Sequence, residues 1–328
     1  MLYSVKESCN RYHILITEED DIQVSKGKAI AVVGSLNMDL VISMQRMPKI
    51  GETIQGDAIH YISGGKGANQ AVGCAKLGAE VTMIGAIGND AFGSEIMQRM
   101  KLFGVKTEAI ATLEGVPTGT ATIMHTENDN CIVIVPGANG ECSPEETIAP
   151  YAEIIRNADA LIVQLEIPMP AVEAALRIAH EAGVPTILNP APALPLTDEQ
   201  IALADYFTPN ETEFEMYCGG TIDVDSEEQL FERMTAWNAR FPGQKLIVTR
   251  GKHGISYADS GSIATFAAPV VQVVDTTGAG DSFNAALCFG VANGWPLDKT
   301  LPLAVRAASY SVTVFGAQDG MPTMDKLL

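Results

Sequence analysis

Apolar and polar positions along the chain set up a β-α-β rhythm that begins at Ala29. The run Ala29-Ile30-Ala31-Val32-Val33-Gly34 is continuously apolar and closed by glycine, the pattern of a strand covered on both faces. Val81 to Gly88 repeats it, and Asn89-Asp90-Ala91-Phe92-Gly93 opens a helix that should end near Phe103-Gly104. After Pro144 the alternation predicts helix Pro144 to Asn157, strand Ala160 to Leu165, helix Pro170 to Ala182 and strand Pro185 to Leu188. Further strands are expected at Tyr206 to Pro209, Lys245 to Thr249 and Val270 to Val274, with helices from Phe283 to Val291 and Ala304 to Ser311. Thr118 to His125 and Cys131 to Val135 read as two strands about the turn Glu127-Asn128-Asp129-Asn130. These, with short strands in residues 40–62, interrupt the rhythm early. The expected fold class is therefore α/β, a mainly parallel sheet flanked by helices with a small β lid. Residues 1–27 stand outside the pattern and read as a flexible extension to a single domain at 28–328.

Composition narrows the classes. Of 328 residues 47% are hydrophobic, ample for a core, and 19% are charged, low for a disordered chain. The net charge of -19 repels phosphate backbones and anionic lipid, so neither nucleic acid nor a membrane surface is an expected partner. A small anionic ligand needs local cations or helix N-termini to offset that field. None of the six cysteines forms a C-x-x-C pair, and no span approaches the roughly 18 apolar residues of a membrane helix. A reducing, cytoplasmic setting suits this composition.

Candidate chemistry gathers where the expected strands end. Gln164 with Glu166, Asn189, Asn210 with Glu213, and Thr249 all follow apolar runs, and a row of polar strand ends along a parallel sheet marks a ligand site. Asn37 and Asp39 follow the first run and share a face if extended, suited to a sugar diol; both types also favour turns. Ser63-Gly64-Gly65-Lys66-Gly67-Ala68-Asn69-Gln70 opens a helix with glycines but completes neither a P-loop nor a dinucleotide fingerprint. Asp275-Thr276-Thr277-Gly278-Ala279-Gly280-Asp281 opens another, leaving backbone N–H groups and a helix dipole to receive an anion beside a carboxylate. Asp281 then reads equally as a general base or as a helix N-cap.

In this order, Gly34-Ser35-Leu36-Asn37-Met38-Asp39, the Gly64-to-Ala71 cluster, Asn189-Pro190-Ala191-Pro192-Ala193, Thr208-to-Glu213 and Asp275-to-Asp281 resemble the motifs of sugar kinases of the ribokinase (PfkB) family. The resemblance spans about residues 28–328 and implies a ribokinase-like fold and an ATP-dependent carbohydrate kinase. It favours D-ribose, phosphorylated at its 5-hydroxyl, over deoxyribose, fructose or a nucleoside. By the resemblance, Asp281 is the base, and the N–H groups of Gly278, Ala279 and Gly280 hold the phosphoryl oxygens. Asn37, Asp39, Gly64, Gly65, Lys66, Asn69 and Glu166 grip the sugar. Asn210, Glu213, Thr249, Gly251, Gly280 and Asn284 face ATP, with Glu213 and Asn210 holding Mg2+ largely through water. Asp275, Thr277, Ser311, Val314, Gly316 and Gly320 form a K+ site, although Gly320 stands where the family pattern expects serine. The helix Ala304 to Ser311 also lacks the histidine the pattern associates with adenine. A homodimer through the lid is implied, with Ile42, Met44, Ile59 and Ile62 expected on its open face. A sugar-binding regulator that lost catalysis is the competing class, and the intact Asp281, glycine turn and Glu213 argue against it.

Overall fold

The computed structural model describes residues 2–7, 10–15, 27–126, 130–222, 226–259 and 262–328. Of the turn expected at 127–130, only Asn130 lies within them. In chain order the strands are β1 (Leu2–Glu7), β2 (Asn10–Leu15), β3 (Ala29–Val33), β4 (Asn37–Ser43), β5 (Ala58–Gly64), β6 (Glu80–Gly88), β7 (Ile110–Leu113) and β8 (Gly119–His125). There follow β9 (Asn130–Val135), β10 (Ala160–Val163), β11 (Thr186–Leu188), β12 (Tyr206–Phe207), β13 (Lys245–Thr249), β14 (Ile255–Asp259) and β15 (Ser262–Phe266).

Eleven strands form the main sheet in the order β2-β1-β15-β14-β13-β12-β11-β10-β3-β6-β7. From β7 to β13 every pair is parallel; from β13 outward every pair is antiparallel. The chain leaves β3 toward β6 on one side and returns to β10 on the other, so the crevice at the C-terminal end of β3 is a topological switch point. Strand alternation divides the core. Ile30, Val32, Ile162, Ile187 and Ile247 face the helices Lys66–Lys76, Ala279–Ala292 and Leu297–Ser311. Ala31, Val33, Leu161, Val163, Leu188, Leu246 and Val248 face Met169–Ala182, Glu211–Cys218 and Glu227–Arg240. Each fully buried Ile, Leu or Val contributes about 1.5–3 kcal/mol, and both layers are continuous apolar clusters.

One close approach positions the site. Where the helices Lys66–Lys76 and Ala279–Ala292 meet, a Cβ on Gly73 would stand 2.6 Å from the Ala285 Cβ. Only glycine lets these helices pack so tightly that their N-terminal turns share one pocket. The lid is the second sheet, in the order β5-β4-β8-β9.

Several expectations change. Val270–Val274 is not a strand: Pro269 has no N–H to offer a ladder, Val270, Val273 and Val274 are exposed, and Val270, Val271 and Val273 line a cleft. Pro144 to Asn157 is not one helix but a wide turn, a 3-10 turn and the α-turn Ala152–Arg156. Pro150 lacks the N–H a continuous helix would need there, and in such a helix its ring would crowd the carbonyl of Glu146. The C-terminal helix begins at Leu297, not Ala304, despite Pro302 inside it. On the lid Ile59 is exposed, Ile42 and Ile62 are half-buried, and Met44 is buried, its N–H donating to the His125 carbonyl. The open apolar edge is instead β9, where Ile132, Val133, Ile134 and Val135 are all exposed. Two strands of the N-terminal extension continue the sheet, β1 pairing with β15 and β2 with β1.

Candidate active site

Asp281 lies at the N-terminal turn of the Ala279–Ala292 helix, 7% exposed. The helix cap is Gly278, in the left-handed conformation at φ 78°, with no side-chain cap. Asp281 is the third helical residue, so reading it as an N-cap does not hold. Its carboxylate accepts instead from the other helix: Asn69 Nδ2 at 2.9 Å and Gln70 Nε2 at 3.0 Å. Burial pushes its carboxyl above the ordinary carboxylate range, while the Lys66 ammonium and the two amides pull it back. Among the described residues, the N–H groups of Gly280 and Asp281 meet no protein acceptor. Unpaired donors on a dipole-positive helix end, next to a buried carboxylate, can hold an anion while that carboxylate takes a proton.

The residues expected to grip the sugar converge on the switch point. Asn37 and Asp39 lie on β4, Gly64 ends the neighbouring β5, and Gly65 leads into the helix carrying Lys66 and Asn69. Asn37 Oδ1 accepts from Asn139 Nδ2 at 2.7 Å. Glu166, just beyond β10, accepts from Ser35 Oγ at 2.5 Å and the Lys66 N–H at 3.0 Å. Asp39 is pushed up to about 7 by burial, then by the charges of Glu166 and Asp281, with Lys66 opposing. Burial lowers the Lys66 ammonium, but Asp281, Glu166, Glu213 and Asp39 together leave it above its ordinary value. One cation thus sits among four carboxylates. Asn69 Oδ1 is buried and unpartnered, an acceptor left for a hydroxyl.

A cleft of about 690 Å³ opens on the other side of the Gly278 turn. Its wall includes Thr249, Gly251 and Gly280, together with the apolar segment at Val270, Val271 and Val273 and the helix face at Val305, Ala308 and Val312. Asn210 and Glu213 form a reciprocal capping box: Glu213 N–H donates to Asn210 Oδ1 at 2.7 Å and Asn210 N–H to Glu213 Oε2 at 2.8 Å. Burial raises the Glu213 carboxyl despite that hydrogen bond and Lys66. Asn284 does not reach the cleft. It is buried, accepting from Thr208 Oγ1 at 2.6 Å and donating to the Gly280 carbonyl at 2.8 Å.

Of the cation-site candidates, Asp275 joins two loops, accepting from Thr277 N–H and Gly316 N–H, each at 2.9 Å. The N–H groups of Val274 and Asp275 both donate to the Val312 carbonyl, which holds the segment from Ser311 to Gly316 beside the turn. Gly320 has no room for a serine: a Cβ there would stand 2.7 Å from the Ser311 carbonyl oxygen. The oxygens of Asp275, Thr277, Ser311, Val314 and Gly316 are hard donors of the kind K+ takes, with no side-chain ligand from position 320.

Sequence reasoning missed Gln70, Asn139 and the pair Arg250–Glu211. Gln70 sits one position beyond Asn69 in the same glycine-rich cluster, yet nothing local names its partner. Asn139 bonds Leu36 N–H at 2.9 Å across 103 residues. Arg250, 5% exposed, lies 3.2 Å from Glu211, tying the Gly251 turn to the helix that carries Glu213.

A model of the pfkB family of carbohydrate kinases matches residues 28–324. A ribokinase of Bacillus subtilis is 41% identical over 300 residues, which cover 91% of this chain and 97% of the relative. A deoxyribokinase of Salmonella typhi is 33% identical over 299 residues, 90% of this chain and 96% of that one. Among solved structures, Arabidopsis thaliana ribokinase complexed with ribose and ATP is similar with a TM-score of 0.85 at 33% identity, over 92% of this chain and 98% of the other.

Proposed function

Given that the chain belongs to the pfkB family of carbohydrate kinases, we propose that it transfers the γ-phosphoryl group of ATP to the 5-hydroxyl of D-ribose, with Asp281 as general base. One observation carries the reading. A buried carboxylate, oriented by two amides, shares a helix turn with unpaired N–H groups where a cluster of polar side chains meets an apolar cleft. Asp281 takes the hydroxyl proton as the oxygen attacks, and the Gly278-to-Gly280 turn receives the charge of the phosphoryl oxygens. Asn37 and Asp39 read the sugar's vicinal hydroxyls, with Lys66, Asn69 and Glu166 completing the grip around Gly64 and Gly65. Thr249 and Gly251 approach the nucleotide.

No group of three or more His, Cys, Asp or Glu side chains suited to a metal occurs among the described residues. The donor set suits Mg2+ held mainly by waters and phosphates, with Glu213 and Asn210 as its protein contacts. A Mg2+ held there by Glu213 and Asn210 would supply charge neutralisation to the triphosphate. K+ between Asp275 and the segment from Ser311 to Gly316 would steady the anion-binding turn. The exposed β9 edge favours a homodimer through the lid, which a monomeric mass by light scattering would contradict. A reducing, ATP-rich compartment such as the cytoplasm suits such an enzyme.

The test is coupled ADP release across pentoses, hexoses and nucleosides. Ribose should exceed 2-deoxyribose in kcat/KM by roughly 10-fold or more, because the deoxy sugar leaves a buried acceptor unpaired. Equal values would overturn ribose as the specific substrate, and a preference for deoxyribose would reassign the chain to a deoxyribokinase activity, the one for which the Salmonella relative is named.

A further inference from the structure

Asp281 is held by more than its two direct donors. Gln70 Nε2 lies 3.0 Å from Asp281 Oδ1 and 3.1 Å from Asn189 Oδ1, so both its hydrogens are committed. Asn189 uses its own NH2 group on the Thr208 carbonyl at 3.1 Å, which leaves its oxygen to face Gln70. Gln70 Oε1 in turn accepts from Gln164 Nε2 at 2.5 Å. Both glutamines are 0% exposed, so no solvent substitutes for these contacts. The far end of Gln164 is unusual: its Oε1 is buried without a partner. Gly34 makes room for it, since a Cβ there would stand 2.0 Å from that oxygen. A fully buried amide that leaves one end unsatisfied is placed for what its other end does.

We propose that Gln70 and Gln164 are positioning residues of the phosphoryl transfer: Gln164 locks the Gln70 amide in the one orientation that donates to Asp281. The two amide ends of Gln70 are nearly equal in shape, so a free Gln70 could turn over. Inverted, its carbonyl would face the carboxylate, repel the ionised form and accept from the protonated form. Hydrogen bonds to an ionised group favour that group's ionisation, and the lock preserves one of the two that Asp281 receives. Of the charged groups around it, only Lys66, at the start of the neighbouring helix, favours the carboxylate. Glu166 beyond β10, Asp39 on β4 and Glu213 on the Glu211–Cys218 helix all oppose it. Burial and three acids nearby hold the carboxyl up, and the orientation of one amide sets how far it is drawn back down.

This inference rests on Asp281 being the base, and the experiment separates the two. kcat at saturating concentrations of the preferred sugar and ATP, which leaves the Asp39 effect on KM out of the profile, is measured from pH 5 to 9 for the native chain, Gln164→Leu, Gln70→Leu and Asp281→Asn, with circular dichroism confirming the fold. In Gln164→Leu the acid limb should move to higher pH by about one unit, so that a deficit of roughly 10-fold below the limb shrinks above it. Gln70→Leu, which deletes the donor outright, should move it at least as far. If Gln164→Leu does not fold, Gln164→Met, close in volume and lacking the donor, carries the same expectation. A folded Gln164 variant whose limb stays at the native pH, beside an inactive Asp281→Asn, overturns the lock alone. An Asp281→Asn enzyme within a few-fold of native overturns the base, and the lock with it.

Discussion

The two sides of the Gly278 turn are built on opposite principles. On the sugar side, side chains from β4, the Lys66–Lys76 helix and the ends of β10 and β11 interlock, with Asp39, Lys66, Glu166 and Asp281 in mutual electrostatic contact. On the other side, the cleft is walled largely by valines, alanines and backbone, and the turn offers N–H groups rather than side chains. A small polyol has little surface except hydroxyls and must be read by directional hydrogen bonds, each of which leaves a buried group unpaired when missed. A nucleotide brings a large flat base and a charged tail, for which an apolar slot and a helix N-terminus suffice. Substitutions should therefore act differently on the two sides.

The largest expected effect lies at the junction. Asp281→Asn keeps the volume of the side chain and removes its proton acceptor, so kcat should fall by roughly 10²–10⁴-fold with little change in melting temperature. Turnover within a few-fold of native would mean that the polar side only binds.

Next comes Asp39. Burial and neighbouring acids push it up to about 7, so near neutrality it is half protonated, and its two lone-pair-rich oxygens are fully open to sugar hydroxyls only above that pH. KM for ribose should fall about 10-fold from pH 6 to pH 8, with Asp39→Asn flattening the trend. Stability runs the other way. A carboxyl whose folded value is raised from 3.8 to about 7 binds its proton more tightly when folded. Its contribution is therefore present below pH 3.8 and lost as pH rises through 7. Thermal melts of Asp39→Asn should lack that part of the decline.

On the apolar side, Val271→Ala removes two methyl groups from the cleft wall. KM for ATP should rise by about 3- to 10-fold with kcat retained, the pattern of lost uniform binding. A fall in kcat with KM unchanged would show that this wall helps align the phosphates, and the contrast between the two sides would weaken.

How far this contrast was legible from sequence follows from the range of each signal. The row of polar strand ends was readable because Gln164, Asn189 and Thr249 each directly follow an apolar run, with Glu166 and Asn210 each three residues past one, and parallel sheets put such positions on one edge. The anion turn was readable because glycine and a helix start are local features. Gln70 was not, because its partner Asp281 is 211 residues away and an amide carries no periodic mark. The valine run at Val270 to Val274 misled for a related reason: β-branched composition signals a strand only where a neighbouring strand exists, and here the neighbour is an open cleft. The break at Pro150 was present in the letters and should have outweighed the apolar period.

The smallest expected effect concerns the seam between the two sides. Asp275 ties the anion turn to Gly316 through two 2.9 Å hydrogen bonds, and Phe315, the next residue back, meets His60 of the lid edge-on at 6.1 Å between ring centroids. The lid and the Gly278 turn therefore touch the same short loop. K+ among the carbonyls of that loop and the Asp275 carboxylate would stiffen the seam without contacting either substrate. Because each Asp275 oxygen already accepts one N–H, and Gly320 supplies no hydroxyl, the gain should be only a few-fold in kcat. Rates are compared at fixed ionic strength in potassium, sodium and a bulky organic cation. Potassium should be fastest, and Asp275→Ala should abolish the difference while leaving a slower enzyme. Equal rates in all three would mean that Asp275 and its two N–H donors hold the seam by themselves.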